Sequence, residues 1–147
     1  MTAAFNQNFS ISEIHKFHEQ HNHIIRKPVN DPVLIHGDFS YGNVLLDDEF
    51  GLKAVFDFGN TVFGLKELDF IWLYRPAVPN LIQAVVHEYE KQTGTKIDIQ
   101  RMVEFIFTTA LNTLYRYNND VLAGKDRSEK ILTVIERIKF TQEFLNK

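Results

Sequence analysis

Cysteine is absent from the 147 residues of this sequence, which excludes disulfides and cysteine-ligated metal sites. No apolar run approaches the roughly 20 residues that a membrane-spanning helix needs. The 16 lysines and arginines do not outnumber the 19 aspartates and glutamates, so no broad basic surface for nucleic acid is expected. The first residues lack the basic and then apolar order of a signal peptide. These absences predict a soluble cytoplasmic protein that has neither nucleic acid nor a membrane as its partner.

Apolar residues are plentiful and predict a folded core. They make up 44% of the sequence, and 13 residues are phenylalanine. This composition argues against disorder, and the chain is long enough to bury a sizeable core. We therefore expect a single domain over residues 1–147, in which residues 1–9 form a loose leader and residues 10–147 fold.

Helical patterns lie on both sides of a short segment with strand patterns. The predicted helices run from Ser10 or Ser12 to about Arg26, from about Pro79 to Gln92, from Asp98 to about Asn118, and onward from a capping box at Asp126 and Glu129. Val33–Ile35 has the pattern of a short buried strand. The third helix has apolar residues around much of its circumference, which predicts a central, buried position. The chain is therefore expected to be α+β and mainly α.

Two apolar runs around an acidic turn predict a β-hairpin. Residues 44–46 and 52–56 enclose five residues, Asp47 to Gly51, that are acidic and end in glycine. A hairpin folds the chain back on itself. Asn43, before its first strand, should therefore lie near Asp57, after its second.

Asp38, Asn43 and Asp57 have a spacing suited to phosphoryl transfer. Asp38 follows Gly37 after the predicted strand, where a carboxylate can accept the proton of an attacking hydroxyl. Asn43 and Asp57 supply oxygen ligands of the kind that Mg²⁺ prefers, and magnesium sites often combine few protein oxygens with substrate phosphates. Each residue taken alone is more simply an ordinary turn residue. The joint pattern of strand, H-G-D, Asn, hairpin and D-F-G makes the functional interpretation the stronger one.

The motifs LIHGDFSYGNVLL, AVFDFGN and ELDFIWL resemble those of the aminoglycoside phosphotransferase and choline kinase family, small-molecule relatives of protein kinases. The resemblance implies the C-terminal lobe of a protein-kinase-like fold, with helices around a small β-hairpin that carries the catalytic loop. It implies Asp38 as the catalytic base, with Asn43 and Asp57 binding Mg²⁺ and thereby the cofactor ATP. His36 and Asp69 are then structural supports of the catalytic loop, with Asp69 bonded to the loop backbone. The ordinary interpretation of Asp69 is a helix-start residue beside an apolar run.

Some positions depart from the family pattern. Ser40 stands where many relatives have His, Tyr41 where Pro is common, and Asn60 where relatives often have another acid. Residues 1–32 are too few and too polar for the family's N-terminal lobe, which grips ATP, and no glycine-rich loop is present. The chain is therefore expected to be a catalytic lobe alone, weak or inactive without that lobe. An uncovered lobe face favours a homodimer or a separate N-terminal lobe as the partner.

Three further groups of side chains have both a functional and an ordinary interpretation. The histidines of the first predicted helix lack an i, i+4 pair, so a polar helix face is preferred over a Zn²⁺ site. Four aromatic residues would suit a quaternary amine, but packing in the core is preferred. They are Trp72, Tyr74, Tyr115 and Tyr117. Glu88 and Glu104 would attract an amino sugar, and solvated helix faces explain them equally well.

The leading hypothesis is phosphorylation of a small-molecule hydroxyl, aminoglycoside- or choline-like, with ATP and Mg²⁺. The first rival is a non-catalytic kinase remnant that binds a partner through the uncovered face, although retention of Asp38, Asn43 and Asp57 counts against it. A metal-dependent hydrolase is weaker, because it needs more metal ligands near Asp38 than the sequence offers. The substrate is not predicted, because specificity in the family lies in variable helices and loops.

Overall fold

A computed structural model describes residues 11–74, 78 and 80–145. In this part of the chain, helices α1 to α4 span Ile11–Ile25, Leu81–Thr93, Ile99–Leu122 and Ser128–Leu145. Strands β1 to β4 span Val33–Ile35, Val44–Leu46, Leu52–Val55 and Val62–Gly64. Short 3₁₀ helices span Tyr41–Asn43, Phe58–Asn60, Lys66–Asp69 and Ile71–Leu73. The predicted α+β class with mostly helix is confirmed.

The helix ends show which local signals were correctly interpreted. The side chain of Asp98 accepts the N–H of Arg101 at 3.0 Å, as predicted for a cap of α3. α3 continues to Leu122, beyond the predicted end, because the next helix-stopping residue is Gly124 in the left-handed conformation (φ 83°). Asp126 accepts the N–H of Ser128 at 3.0 Å, so it forms a turn before α4 rather than the predicted N-cap. The leader, Ser10 and Pro79 lie outside the described residues.

The chain divides into two compact units, one of residues 1–27 with 103–147 and one of residues 28–102. The core of the first unit comes from α1, α3 and α4. Its buried side chains are Phe17, Phe107, Ala110, Leu114, Ile131, Val134, Ile135 and Ile138. The Phe17 and Phe107 rings meet with centroids 4.5 Å apart. Among the described residues, none of the helices combines the length and the hydrophobicity that a membrane-spanning segment requires.

The second unit contains two antiparallel sheets of two strands each among its described residues. β2 and β3 form the predicted hairpin, with Val44 opposite Val55 and a bulge between Leu45 and Leu46. β1 pairs with β4, with Ile35 opposite Val62. β4 was not predicted, because a strand of three residues is too short to show alternation and follows the D-F-G turn almost directly.

The predicted core position of the four aromatic residues is correct for one of them and wrong for another. Tyr74 is buried (3% exposed), whereas Tyr115 is 72% exposed on α3. Tyr117 is half-buried, and the guanidinium groups of Arg116 and Arg127 each lie 5.7 Å from its ring centre. On α3, Leu114 is buried in the core of the first unit, whereas the next two residues, Tyr115 and Arg116, are exposed.

Glu104 is a buried carboxyl group, so its interpretation as part of a solvated helix face was wrong. Its side chain is 0% exposed, and both carboxylate oxygens lack a hydrogen-bond partner among the described residues. His18 Nδ1 lies 4.0 Å from Oε1, beyond hydrogen-bond distance. Burial raises the pKa of Glu104 from 4.5 to about 7. Glu88, by contrast, is exposed and accepts hydrogen bonds from Lys91 and Gln92.

The raised pKa of Glu104 predicts a pH dependence of stability. Between pH 4.5 and about 7 the folded protein holds a proton on Glu104 that the unfolded chain has released. The free energy of unfolding should therefore fall across this window, by up to roughly 3 kcal/mol from this group. Glu104→Gln should remove this contribution and stabilise the protein at pH 8 more than at pH 5.

The measurement is urea unfolding of wild type and Glu104→Gln at several pH values, with Glu136→Gln as the control. Glu136 lies exposed on α4 in the same unit. Other carboxyl groups contribute to wild type and variant alike, so the difference between them isolates Glu104. A difference that stays constant from pH 5 to pH 8, or one that Glu136→Gln reproduces, would contradict the prediction.

Candidate functional site

One carboxylate holds the backbone of the loop that follows β1. Asp69, at the end of the 3₁₀ helix Lys66–Asp69, accepts the N–H of His36 at Oδ2 and the N–H of Gly37 at Oδ1, both at 2.8 Å. Both oxygens are used, so two consecutive peptide groups are fixed by a single side chain. These are backbone contacts of the kind that the resemblance implied for Asp69.

The ring of His36 connects the loop to the end of β3. It is buried, its Nδ1 accepts the N–H of Asp38 at 3.3 Å, and its Nε2 bonds to the carbonyl oxygen of Phe56 at 2.9 Å. Because Nδ1 accepts a hydrogen bond and the Phe56 carbonyl oxygen can only accept one, the network assigns the proton of the ring to Nε2. Both nitrogens are engaged within the protein, so His36 positions the loop.

Gly37 allows two turns to pack against each other. It adopts φ 81°, a conformation that residues with a Cβ rarely adopt. A Cβ at this position would also overlap the carbonyl oxygen of Asn60. The 3₁₀ helix Phe58–Asn60 can therefore approach the loop only because residue 37 is glycine. The ring of Phe58 also packs on His36, with centroids 4.6 Å apart.

Asp38 and Asn43 are in direct contact. The Asn43 amide nitrogen donates to the Asp38 carbonyl oxygen at 2.8 Å and to the Asp38 carboxylate Oδ2 at 3.3 Å. Both side chains are half-buried. The amide nitrogen of Asn43 is thus engaged with Asp38, and its Oδ1 is the atom that remains for a cation.

The hairpin brings Asn43 and Asp57 to the same end, as its sequence pattern predicted. The Phe56 N–H donates to the Asn43 carbonyl at 3.0 Å, which extends the β2–β3 ladder toward the loop. Asp57 is the residue directly after Phe56. It is exposed, and its backbone is in the left-handed conformation (φ 64°, ψ 57°). Such a conformation is uncommon for a residue other than glycine and marks a candidate functional position. The Asp57 carboxylate makes no capping bond to the 3₁₀ helix that follows.

The chemistry of these side chains fits a magnesium ion. Asn43 Oδ1 and the Asp57 carboxylate are hard oxygen donors, and neither is engaged by the loop contacts described above. No cluster of three or more His, Asp or Glu side chains suited to a metal occurs within residues 11–74, 78 and 80–145. A nucleotide-bound Mg²⁺ does not need such a cluster, because phosphates and water complete its shell.

Sequence reasoning missed a further support of the loop. The Tyr41 hydroxyl donates to the carbonyl oxygen of Leu73 at 3.2 Å, which ties the loop to the 3₁₀ helix Ile71–Leu73. The signal was the tyrosine at a position where relatives commonly have proline, which has no side-chain donor. The backbone carbonyl groups of Phe56 and Asn60 meet the loop as well. The sequence gives no signal for these contacts, because every residue has a backbone carbonyl group.

The Asp69 contacts predict the effect of a near-isosteric substitution. Asp69→Asn keeps one acceptor oxygen but turns an NH₂ group toward the second backbone N–H. The free energy of unfolding should fall by about 1–3 kcal/mol, the cost of an unsatisfied, partly buried donor. The measurement is urea unfolding monitored by circular dichroism at neutral pH.

Asp48→Asn is the matched control, because Asp48 is an exposed residue of the hairpin turn in the same unit. It should change stability by less than about 0.5 kcal/mol. Equal stability of Asp69→Asn and Asp48→Asn would show that the Asp69 carboxylate does not hold the loop.

Comparison with known proteins adds one finding. Residues 4–105 match the sequence model of a family described as the phosphotransferase enzyme family. The match covers more than half of the chain and includes the five site residues that the sequence predicted. They are His36, Asp38, Asn43, Asp57 and Asp69. No curated protein matches the chain as a relative.

Proposed function

Because the chain belongs to the phosphotransferase enzyme family, we propose that it is the C-terminal catalytic lobe of a kinase-like enzyme that phosphorylates a small-molecule hydroxyl with ATP and Mg²⁺, and that it is weak or inactive by itself. The observation that carries the proposal is the direct contact between Asp38 and Asn43 at the end of the hairpin where Asp57 begins the next turn. A proton acceptor and two oxygen ligands are the side chains that phosphoryl transfer requires.

Asp38 is the proposed catalytic base. Its Oδ2 accepts a hydrogen bond from the Asn43 amide, which orients the carboxylate. Its other oxygen, Oδ1, is then the atom that accepts the proton of the substrate hydroxyl. Half-burial suits this role, because the group stays accessible to substrate while part of the water around it is excluded.

Asn43 and Asp57 are the proposed holders of Mg²⁺. The ion, when bound, offsets negative charge on the nucleotide phosphates. Asn43 has a second task in this proposal, because its amide nitrogen orients the base while its amide oxygen would be a ligand of the ion. One side chain thus couples the position of Asp38 to the position of the phosphates.

The loop supports favour catalysis over simple binding. Asp69 fixes two consecutive peptide groups and His36 connects the loop to Phe56. Phosphoryl transfer depends mostly on positioning and electrostatics, so a rigid loop contributes directly to the rate.

A second candidate function is a non-catalytic binding module, favoured by exposed apolar side chains of the second unit. Leu34 is 64% exposed and pairs with Phe63, which is 72% exposed; Phe50 at the hairpin turn is 85% exposed. Exposed apolar surface of this kind is common where proteins bind one another. On either function, this surface suits a separate N-terminal lobe or a second copy of the chain.

Binding of Mg²⁺–ATP distinguishes the two candidates. We expect isothermal titration calorimetry to detect binding that Asp57→Ala weakens at least about tenfold, because a metal ligand is lost. Asp48→Ala removes a nearby exposed carboxylate and should bind as wild type does. Absence of binding by the wild-type chain, or equal binding by both variants, would favour the binding module.

Turnover by the chain alone should be negligible. Phosphoryl transfer needs cover over the phosphates as well as the base and the metal, and the sequence predicts no glycine-rich loop for that cover. ATP consumption in the presence of small-molecule hydroxyl acceptors measures this directly. Robust turnover that Asp38→Ala abolishes would show instead that this lobe is sufficient.

A further inference from the structure

A buried glutamate lies two residues before Asp69, in the 3₁₀ helix Lys66–Asp69. We propose that this residue, Glu67, is a positioning residue of the candidate phosphotransfer site. It fixes the 3₁₀ helix to the start of α3, so that Asp69 can hold the loop after β1. The consequence for catalysis rests on the proposed function, whereas the effect on the loop is independent of it.

The Glu67 side chain is linked to the residue that precedes α3. Glu67 is 3% exposed, and glutamates are seldom buried so fully without a partner. Its Oε1 accepts the N–H of Asp98 at 3.1 Å, across 31 positions of the sequence. Lys66 Nζ lies 3.7 Å from the same oxygen and offsets part of the buried charge. The contact therefore joins two segments that are far apart in the chain.

This contact completes a capping arrangement that the sequence of α3 does not supply. In a capping box, the N-cap side chain accepts the N–H of the third helical residue, and the side chain of that residue accepts the N–H of the N-cap residue. Asp98 makes the first of these bonds, to Arg101. An arginine side chain has no acceptor for the second bond. Glu67 supplies that acceptor from the 3₁₀ helix.

The same 3₁₀ helix contacts the loop through Asp69. Three residues form one turn of a 3₁₀ helix, so the side chains of Glu67 and Asp69 project in different directions. One carboxylate reaches the start of α3, and the other accepts the N–H groups of His36 and Gly37 at 2.8 Å. So short a helix depends on contacts outside itself. Loss of the Glu67 contact should therefore loosen the Asp69 contacts, and with them the position of Asp38.

The two oxygens of Glu67 differ, so a conservative substitution can test the proposal. Oε2 is buried and has no hydrogen-bond partner among the described residues. Glu67→Gln keeps one acceptor oxygen for the Asp98 N–H and places its NH₂ group where no bond is lost. Glu67→Met keeps the length of the side chain but offers only a weak sulfur acceptor. Glutamine should therefore preserve the loop, and methionine should not.

The test is amide hydrogen exchange of the isotope-labelled full chain, followed by NMR. We expect Glu67→Met to speed exchange of the His36 and Gly37 amides at least about tenfold, beyond any change in global stability measured by urea unfolding. The side-chain NH₂ signals of Asn43, which report its contact with Asp38, should shift in the same variant. Glu67→Gln should leave both observations as in wild type.

Glu90→Met is the matched control. Glu90 lies on α2 and accepts the N–H of Ile97 at 2.9 Å, so this variant also removes a bond from a glutamate to the backbone just before α3. Glu90 has no place in the 3₁₀ helix that carries Asp69. Its variant should leave the exchange of the His36 and Gly37 amides unchanged once global stability is taken into account.

A measurement on the wild-type chain keeps the proposal falsifiable if Glu67→Met fails to fold. The Asp98, His36 and Gly37 amides should exchange through one shared opening and so show the same dependence on urea. Independent opening of Asp98, unchanged loop amides in Glu67→Met, or equal acceleration in Glu67→Gln or Glu90→Met would overturn the proposal and leave Glu67 as a cap of α3 only. Absence of Mg²⁺–ATP binding would instead contradict the proposed function, without altering any of these outcomes.

Discussion

The two hydrogen bonds from the backbone of His36 and Gly37 to the Asp69 carboxylate are the constraint on which the site depends. They turn the chain as it leaves β1 and place the His36 ring where it reaches the Phe56 carbonyl. Gly37 makes this turn feasible, because its φ of 81° and the close approach of Asn60 leave no room for a side chain. A carboxylate with both oxygens occupied is better suited to this supporting task than to chemistry.

The residues proposed to act on substrate lie in and beside the loop that these two hydrogen bonds hold in place. Asn43 contacts Asp38 through its amide nitrogen, and the hairpin ladder places Asp57 beside the same end. The three side chains are therefore positioned by three short elements, which are the loop after β1, the 3₁₀ helix Tyr41–Asn43 and the β2–β3 hairpin. None of these is a long helix or a large sheet. Short elements hold such a geometry only when side chains connect them, and Asp69, His36 and Tyr41 supply those connections.

Each of the two units buries a carboxyl group and also leaves large apolar side chains exposed. The first unit encloses a carboxyl group, Glu104, at 0% exposure, at the cost of leaving both oxygens without a partner among the described residues. The second unit also buries a carboxyl group, Glu67 at 3% exposure, and leaves large apolar side chains such as Phe50 and Phe63 exposed in its hairpin turn and its small sheets. Two-stranded sheets are rarely stable by themselves, so contacts outside the strands are expected to stabilise them.

Local patterns in the sequence determined the helices, the hairpin, the Asp98 cap and the grouping of Asn43 with Asp57, because each depends on residues close together in the chain. The family motifs, read as a whole, also indicated the role of Asp69 across more than thirty positions. Only the tertiary structure decided the pairing of β4 with β1, the burial of Glu104, the exposure of Tyr115 and the contact between Glu67 and Asp98. These features depend on which distant segments meet, and a residue's own type and neighbours in sequence carry no record of that.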